Sequence, residues 1–371
     1  MTATKGLEGV VATTSAISSI NSDVLTYRGY SIQDLAEHSS FEEVIYLLWN
    51  DELPSDEKLR QFKEQLANDS SIPNEIYNLM KSLPYQNVHP MAVLRTAVSA
   101  LGVLDEQADD MDTRANKEKA ISIQAKISTI VAAFARIRRG LEPVAPRKDL
   151  GYAANFLYML NDRLPDDVEA RTFDTALILH ADHELNASTF TARVCVGTLS
   201  DIYSGITAAI GALKGPLHGG ANEQVMRMLD TIGSLGEVDD YIEDALEKKQ
   251  KIMGFGHRVY KNGDPRARIL KKMAEELTKG SGDEKLYEMS VRIEELIHTK
   301  KGLLPNTDFY SATVYHTLGI ETDLFTPVFA ISRTSGWVAH ILEQYSDNRL
   351  IRPRAEYNGH PLRAYVPAEV R

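Results

Sequence analysis

An almost entirely helical, all-α fold of two domains, opened by a short hairpin, is what this sequence predicts. Helix-start signals recur along nearly its whole length, apolar residues fall three or four apart in segment after segment, and no alternating strand and helix pattern suggests a parallel sheet. The 371 residues exceed the roughly 250 to 300 at which a single core stops growing, so two domains are expected.

The hairpin is expected between Gly6 and Gly29, where Val10-Val11-Ala12-Thr13 and Val24-Leu25-Thr26-Tyr27 flank Asn-Ser-Asp turn residues. Ser40-Phe41-Glu42-Glu43 then reads as a capping box leading into Val44 to Trp49. Pro90 opens a helix through Met91, Leu94, Val98 and Leu101, and Ile123, Ile127, Ile130, Phe134 and Ile137 mark another that stops at Gly140. From Phe173 to Leu213 the chain is apolar and rich in small residues, the signature of closely packed buried helices.

Charged amphipathic stretches follow at 237–251 and 271–301, before an apolar return from Asp323. The expected division is therefore 1–218 for the first part of a large domain, 219–322 for a small one, and 323–371 for the return and a polar tail.

The formal charge of -11, with cations spread along the chain, offers no basic surface for nucleic acid. The single cysteine, Cys195, cannot form an intrachain disulfide and reads as an inert core thiol. The N-terminus lacks signal and transit layouts, and no apolar run approaches the ~20 residues of a membrane span, so a bacterial or archaeal cytoplasm is expected.

Chemistry concentrates around histidines. Three clusters, His180-Ala-Asp-His183-Glu184, Gly215-Pro-Leu-His218-Gly-Gly220 and Gly254-Phe-Gly256-His257-Arg258, set imidazoles beside acids or glycines. Each imidazole alone could be a hydrogen-bonded residue at a helix end. His218 precedes a helix from Ala221 to Leu229, whose positive end favours a neutral ring able to donate to a carbonyl.

Asp264-Pro265-Arg266 reads as a cap, a first-turn proline and an arginine that can grip a carboxylate with two bonds. Asp308, among aromatics, is either a general base of raised pKa or a helix cap. Arg333 and Arg352 lie in or beside apolar segments that need no buried charge for folding.

These residues resemble the citrate synthase family from Leu7 to about Tyr357. HADHE at 180–184, GPLHGGANE at 215–223, GFGHRVY at 254–260, DPR at 264–266, NTDFYSA at 306–312, SRTSGW at 332–337 and RPR at 352–354 stand in the family's order. The resemblance implies a citrate-synthase-like two-domain helical fold that condenses acetyl-CoA with oxaloacetate and hydrolyses citryl-CoA to citrate, with no permanently bound cofactor and no metal.

It implies Asp308 as the base, His218 as donor to the thioester oxygen and His257 as donor to the ketone of oxaloacetate. His183, Arg266, Arg333 and Arg352 match carboxylate-holding positions, Arg352 coming from the neighbouring subunit of a homodimer. For CoA, it points to Arg258 and Lys261 with the backbone of Gly254, Phe255 and Gly256. The small domain is expected to close over the large one.

The chain is similar to the short bacterial and archaeal type, with HADHELNAS one residue shorter than the eukaryotic pattern around Asn186. A 2-methylcitrate synthase using propionyl-CoA shares the same motifs and stays open, since one methylene is worth only about 1 to 3 kcal/mol. A zinc hydrolase built on His180, His183 and Glu184, and a non-catalytic acyl-CoA-binding or scaffold protein, are the readings from other classes.

Overall fold

A computed structural model describes residues 5–7, 9–84, 86, 88–257 and 259–371. Near the N-terminus a three-stranded antiparallel sheet is formed by β1 (Ser18–Asn21), β2 (Val24–Tyr27) and β3 (Tyr30–Ser31), in that order. The second expected strand is thus present, while the first is shifted from Val10–Thr13 to Ser18–Asn21. Asn21 pairs with Val24, so Ser22 and Asp23 form a two-residue turn, both at positive φ (50° and 64°). That geometry matches the twist of a tight hairpin and fixes the register, leaving Val10 and Val11 exposed outside the sheet.

Sixteen α-helices follow among the described residues: α1 (Ile32–His38), α2 (Phe41–Asn50), α3 (Asp56–Asn68), α4 (Asn74–Ser82), α5 (Pro90–Leu104), α6 (Thr113–Arg138), α7 (Tyr152–Asn161) and α8 (Asp167–His180), then α9 (Ala187–Val196), α10 (Ile202–Leu213), α11 (Ala221–Ile232), α12 (Val238–Glu247), α13 (Pro265–Thr278), α14 (Glu284–Lys301), α15 (Thr307–Thr317) and α16 (Phe325–Ser346). Their starts carry the expected chemistry. Ser40 caps α2 by accepting from the Glu43 N–H, but the Glu43 carboxylate takes Ser39 Oγ, so only half of the capping box forms. Pro90 and Pro265 occupy first-turn positions, where a missing N–H costs nothing.

The centre is α16, buried along almost its whole length against α2, α6, α8, α9 and α10. Close approach there depends on small residues. A Cβ on Gly336 would fall 2.4 Å from the Ala181 carbonyl oxygen, so only glycine lets α16 lie against the segment that carries His183.

Helix α6 is long and apolar enough to cross a membrane by length and composition, unlike the expectation from the sequence; 83% of its most apolar window is buried inside the protein. It is a core helix whose lysines had disguised its apolar character. Cys195 is half-buried rather than sealed in the core, and burial pushes its thiol pKa up.

Around the start of α15 the elements interlock. The strand-like segment at Gly254 to Gly256 runs antiparallel to 304–306: Gly256 donates its N–H to the Leu304 carbonyl (2.9 Å) and Asn306 donates to that of Gly254 (2.8 Å). Gly254 sits at φ +83°, with Phe309 and Val225 where a side chain would project.

Candidate active site

A cavity of about 170 Å³ opens where element ends converge. The caps or first turns of α9, α11, α13 and α15 all contribute to its wall, through Asn186, Gly220, Asn222, Arg266, Asn306, Thr307 and Asp308. Four positive helix ends aimed at one space favour anionic contents. His183, His218, His257 and Arg333 complete the polar lining, with Phe329 and Thr326 behind them. The volume lies below the ~300 Å³ usual for drug-sized ligands and suits a small acid rather than a whole coenzyme.

The imidazoles are fixed in defined tautomers. His257 Nδ1 accepts the backbone N–H groups of Val259 (3.0 Å) and Tyr260 (3.3 Å), so the neutral ring carries its proton on Nε2. His218 Nε2 accepts the Ser188 N–H at 3.2 Å and also contacts Ser188 Oγ, which leaves Nδ1–H as the donor. Ser188 Oγ is itself held by Trp337 Nε1 and by Asn186.

Burial, with Arg333 nearby, lowers the His218 pKa to about 4. Burial and Arg266 lower that of His257, and burial followed by Arg266, Arg333 and His257 lowers that of His183 further. Neutral rings that present N–H groups are the result near pH 7. His183 Nε2 pairs with Tyr260 Oη at 3.0 Å, and the rings of His183 and His257 lie 5.3 Å apart.

Arg266 is gripped by Asp264: Nε donates to Oδ1 at 2.9 Å and Nη2 to Oδ2 at 2.8 Å. Asp264 also caps its own helix and accepts the Thr307 N–H at 3.0 Å, so one carboxylate locks the start of α13 to the start of α15. Arg266 and Asp308 are thereby held on adjoining walls.

Arg333 is different. It is 2% exposed, donates Nε to the His180 carbonyl at 2.8 Å and stacks over Phe329, yet it has no carboxylate partner among the described residues. Burial depresses its pKa to about 10. A buried guanidinium at a cavity wall, offset by the charges of Asp182 and Asp308 without a direct ion pair, is costly for folding and well suited to an anion.

Asp308 follows the Asn306 cap, whose Oδ1 accepts its backbone N–H at 3.0 Å while Nδ2 donates to the Gly256 carbonyl. The carboxyl therefore does not cap the helix. Burial raises its pKa to about 6, and Asp264 adds to the rise while Arg266 and Arg333 oppose it.

The structure thus brings together six of the residues singled out in the sequence: His183, His218, His257, Arg266, Asp308 and Arg333. Arg352 does not join them. Helix α16 ends at Ser346, and Arg352 is exposed on the extended tail, not buried as its apolar neighbours suggested. Lys261 is exposed outside the cavity, its N–H bound to Asp23 in the hairpin turn. Arg258 lies outside the described residues.

His180 is sealed in the core, donating Nδ1–H to the Ala176 carbonyl and accepting Thr307 Oγ1 at Nε2, and its pKa is lowered to about 3 by burial. Glu184 accepts the Ile20 N–H. With His180, His183 and Glu184 each committed to separate partners, the zinc reading has no ligand set among the described residues.

Comparison with known proteins sharpens this picture. Residues 6–354 match the family model described as citrate synthase, C-terminal domain. The chain belongs to the citrate synthase family. It is 64% identical to Citrate synthase 2 of Bacillus subtilis (strain 168), covering 100% of both chains.

Among solved structures it is similar to citrate synthase from Pyrobaculum aerophilum, with a TM-score of 0.92 and 41% identity over 98% of this chain and 94% of that one. The ternary complex of Thermoplasma acidophilum citrate synthase with carboxymethyl coenzyme A and oxaloacetate also gives a TM-score of 0.92, at 37% identity over 98% of both. A 2-methylcitrate synthase of Mycobacterium tuberculosis is 45% identical over 97% of this chain and 91% of its own length.

Sequence reasoning missed Asp264 as the clamp on Arg266, Asn306 as the residue that orients Asp308, and Ser188 as the partner that sets the His218 tautomer. The Asn306-Thr-Asp308 order carries a signal for the second, because asparagine is a favoured N-cap. Nothing local announces the Ser188 contact, which joins residues thirty apart.

Proposed function

We propose that the chain condenses the methyl carbon of acetyl-CoA with oxaloacetate, giving citryl-CoA, and hydrolyses that thioester to citrate and CoA. The carrying observation is one cavity that holds a carboxyl of pKa about 6, two neutral imidazoles with N–H groups free to donate, and a buried guanidinium with no ion pair among the described residues. Enolising a weakly acidic methyl group needs a base together with donors for the developing oxyanion.

In this reading Asp308 takes a methyl proton as His218 Nδ1–H hydrogen-bonds the thioester oxygen. The resulting enolate carbon attacks the ketone carbon of oxaloacetate, whose oxygen is polarised by His257 Nε2–H. One C–C bond forms, the ketone oxygen becomes a hydroxyl, and the proton it gains balances the one removed. Water then attacks the thioester and CoA leaves as a thiol.

Arg333, Arg266 and His183 hold the oxaloacetate carboxylates, and Arg352 arrives from a second copy in a homodimer. The exposed position of Arg352 supports that assignment, because a tail free of its own core can reach a neighbour. Residues 219–322 act as a small domain that closes on the large one, with Lys261, Arg258 and the 254–256 backbone toward CoA. A cytoplasmic location belongs to the same reading, as do CoA as co-substrate and the absence of a permanent cofactor.

The test is thiol release from acetyl-CoA with and without oxaloacetate, repeated with propionyl-CoA. Oxaloacetate-dependent release with a higher kcat/KM for acetyl-CoA is expected. A clear preference for propionyl-CoA would move the assignment to 2-methylcitrate synthesis, and no release with either would leave only an acyl-CoA-binding role.

A further inference from the structure

The two ends of the cavity are unequally furnished. Arg266, Arg333, His183 and His257 supply a dicarboxylate and its ketone with donors, whereas the acyl oxygen has so far been given only His218. Next to His218, helix α11 begins differently from its neighbours. Asn186, Asp264 and Asn306 cap α9, α13 and α15 with side chains, but Gly220, at φ +82°, leaves α11 without a side-chain cap. Gly220 offers no side-chain acceptor to its first N–H groups, and that of Glu223 is met from within the helix by Asn222.

Asn222 lies in that first turn and lines the cavity. It is 2% exposed, and its Oδ1 accepts the Glu223 N–H at 2.9 Å, which identifies the other atom as the amide nitrogen. That Nδ2 is buried and has no hydrogen-bond partner among the described residues. Buried donors are rarely left idle, and an idle one on a reactive cavity calls for a ligand acceptor.

We propose that Asn222 Nδ2–H is a second donor to the acyl-donor carbonyl oxygen, sharing with His218 the negative charge that develops there on enolisation. The proposal rests on the condensation reading above. Its chemistry is that of an oxyanion hole, with a side-chain amide and an imidazole N–H on one oxygen at the positive end of a helix.

The experiment compares the wild-type protein with Asn222→Ala and Asn222→Asp, measuring kcat and KM for each substrate by oxaloacetate-dependent thiol release, with thermal melting as the control on folding. Asn222→Asp keeps the acceptor for the Glu223 N–H and the shape, so it keeps the fold even if the alanine variant loosens the helix start. Loss of one such donor costs about 100-fold or more in kcat. Both variants should show that loss while KM for oxaloacetate stays within about twofold, as donation to the other substrate requires.

A purely structural role predicts instead that loss of kcat follows loss of thermal stability, so that Asn222→Ala, if it melts like the wild type, keeps its kcat. Retained kcat in either folded variant, or a loss confined to the KM of oxaloacetate, overturns the proposal. An inactive wild-type protein would sink the condensation reading and this inference with it, an outcome distinct from failure of the variants alone.

Discussion

Replacing Asp308 by asparagine should inactivate the protein and stabilise it at once. Burial raises the folded pKa from 3.8 to about 6, so above pH 6 the native state holds an unfavourable buried charge that the unfolded chain does not. The gap of about 2 units, at 1.36 kcal/mol each, amounts to about 3 kcal/mol.

The sign follows from proton binding. Between pH 3.8 and 6 the folded state binds more protons at this site than the unfolded state, so its contribution to stability is greatest at low pH and falls as pH rises to 6. Asparagine removes that titration. With an unfolding entropy of about 2.1 cal/mol/K for each of 371 residues, 3 kcal/mol corresponds to about 4 °C in Tm.

Asp308→Asn should therefore melt about 4 °C above wild type at pH 8, with the gain fading toward pH 4, while kcat falls by about 100-fold to 10,000-fold through loss of the base. Calorimetry at both pH values, alongside the thiol assay, checks it. A variant that melts no higher than wild type at pH 8 would refute the buried-charge argument, and kcat within tenfold of wild type would refute the role as base.

Other consequences are equally measurable. Activity should fall on the acid side as Asp308 protonates, with the limb at or above pH 6 and no separate limb from His218, whose titration lies near 4; a pH profile of kcat/KM reads both. Arg333→Met should abolish the thermal shift caused by oxaloacetate, which in the wild type reaches about 2.7 kcal/mol at a hundredfold excess over Kd; an undiminished shift would place the carboxylates elsewhere. If Arg352 serves the neighbouring copy, mixing inactive Asp308→Asn with inactive Arg352→Ala should restore about a quarter of wild-type activity, since half of randomly re-paired dimers carry one intact site. Zero recovery after subunit exchange would confine Arg352 to its own chain.

What was legible in the sequence had local chemistry behind it. Pro90, Asp264-Pro265 and the glycines around His218 and His257 announced helix starts and turns because the constraint lies within a few residues. The six cavity residues were found through motif order, which stands in for folding the sequence itself cannot display. Partner choice was not legible: Asp264 reads as a cap, yet its carboxylate also binds Arg266 and Thr307.

The shifted first strand has a similar cause. Val10-Val11 has the stronger strand propensity, but the Ser22-Asp23 turn dictates pairing with 18–21. Arg352 was misjudged as buried because apolar neighbours such as Ile351 say nothing about where helix α16 stops.

The charge balance of the cavity explains why a third arginine would be needed. Asp264 offsets Arg266, while Arg333, which feels the charge of Asp182 but forms no ion pair among the described residues, stands beside Asp308. A bound dicarboxylate brings two negative charges into that low-dielectric space, overcompensates Arg333 and raises the Asp308 pKa above its unliganded value near 6. The base grows stronger, but a smaller fraction is ionised at neutral pH. In the proposed dimer, a guanidinium delivered by Arg352 of a second copy would restore the balance and keep Asp308 charged when acetyl-CoA arrives. Arg352→Ala should then do more than weaken oxaloacetate binding: with oxaloacetate saturating, the acid limb of kcat should move to higher pH than in the wild type, so that part of the lost turnover returns at pH 8 to 9. A limb that stays in place while KM alone rises would show that Arg352 anchors the substrate without tuning the base.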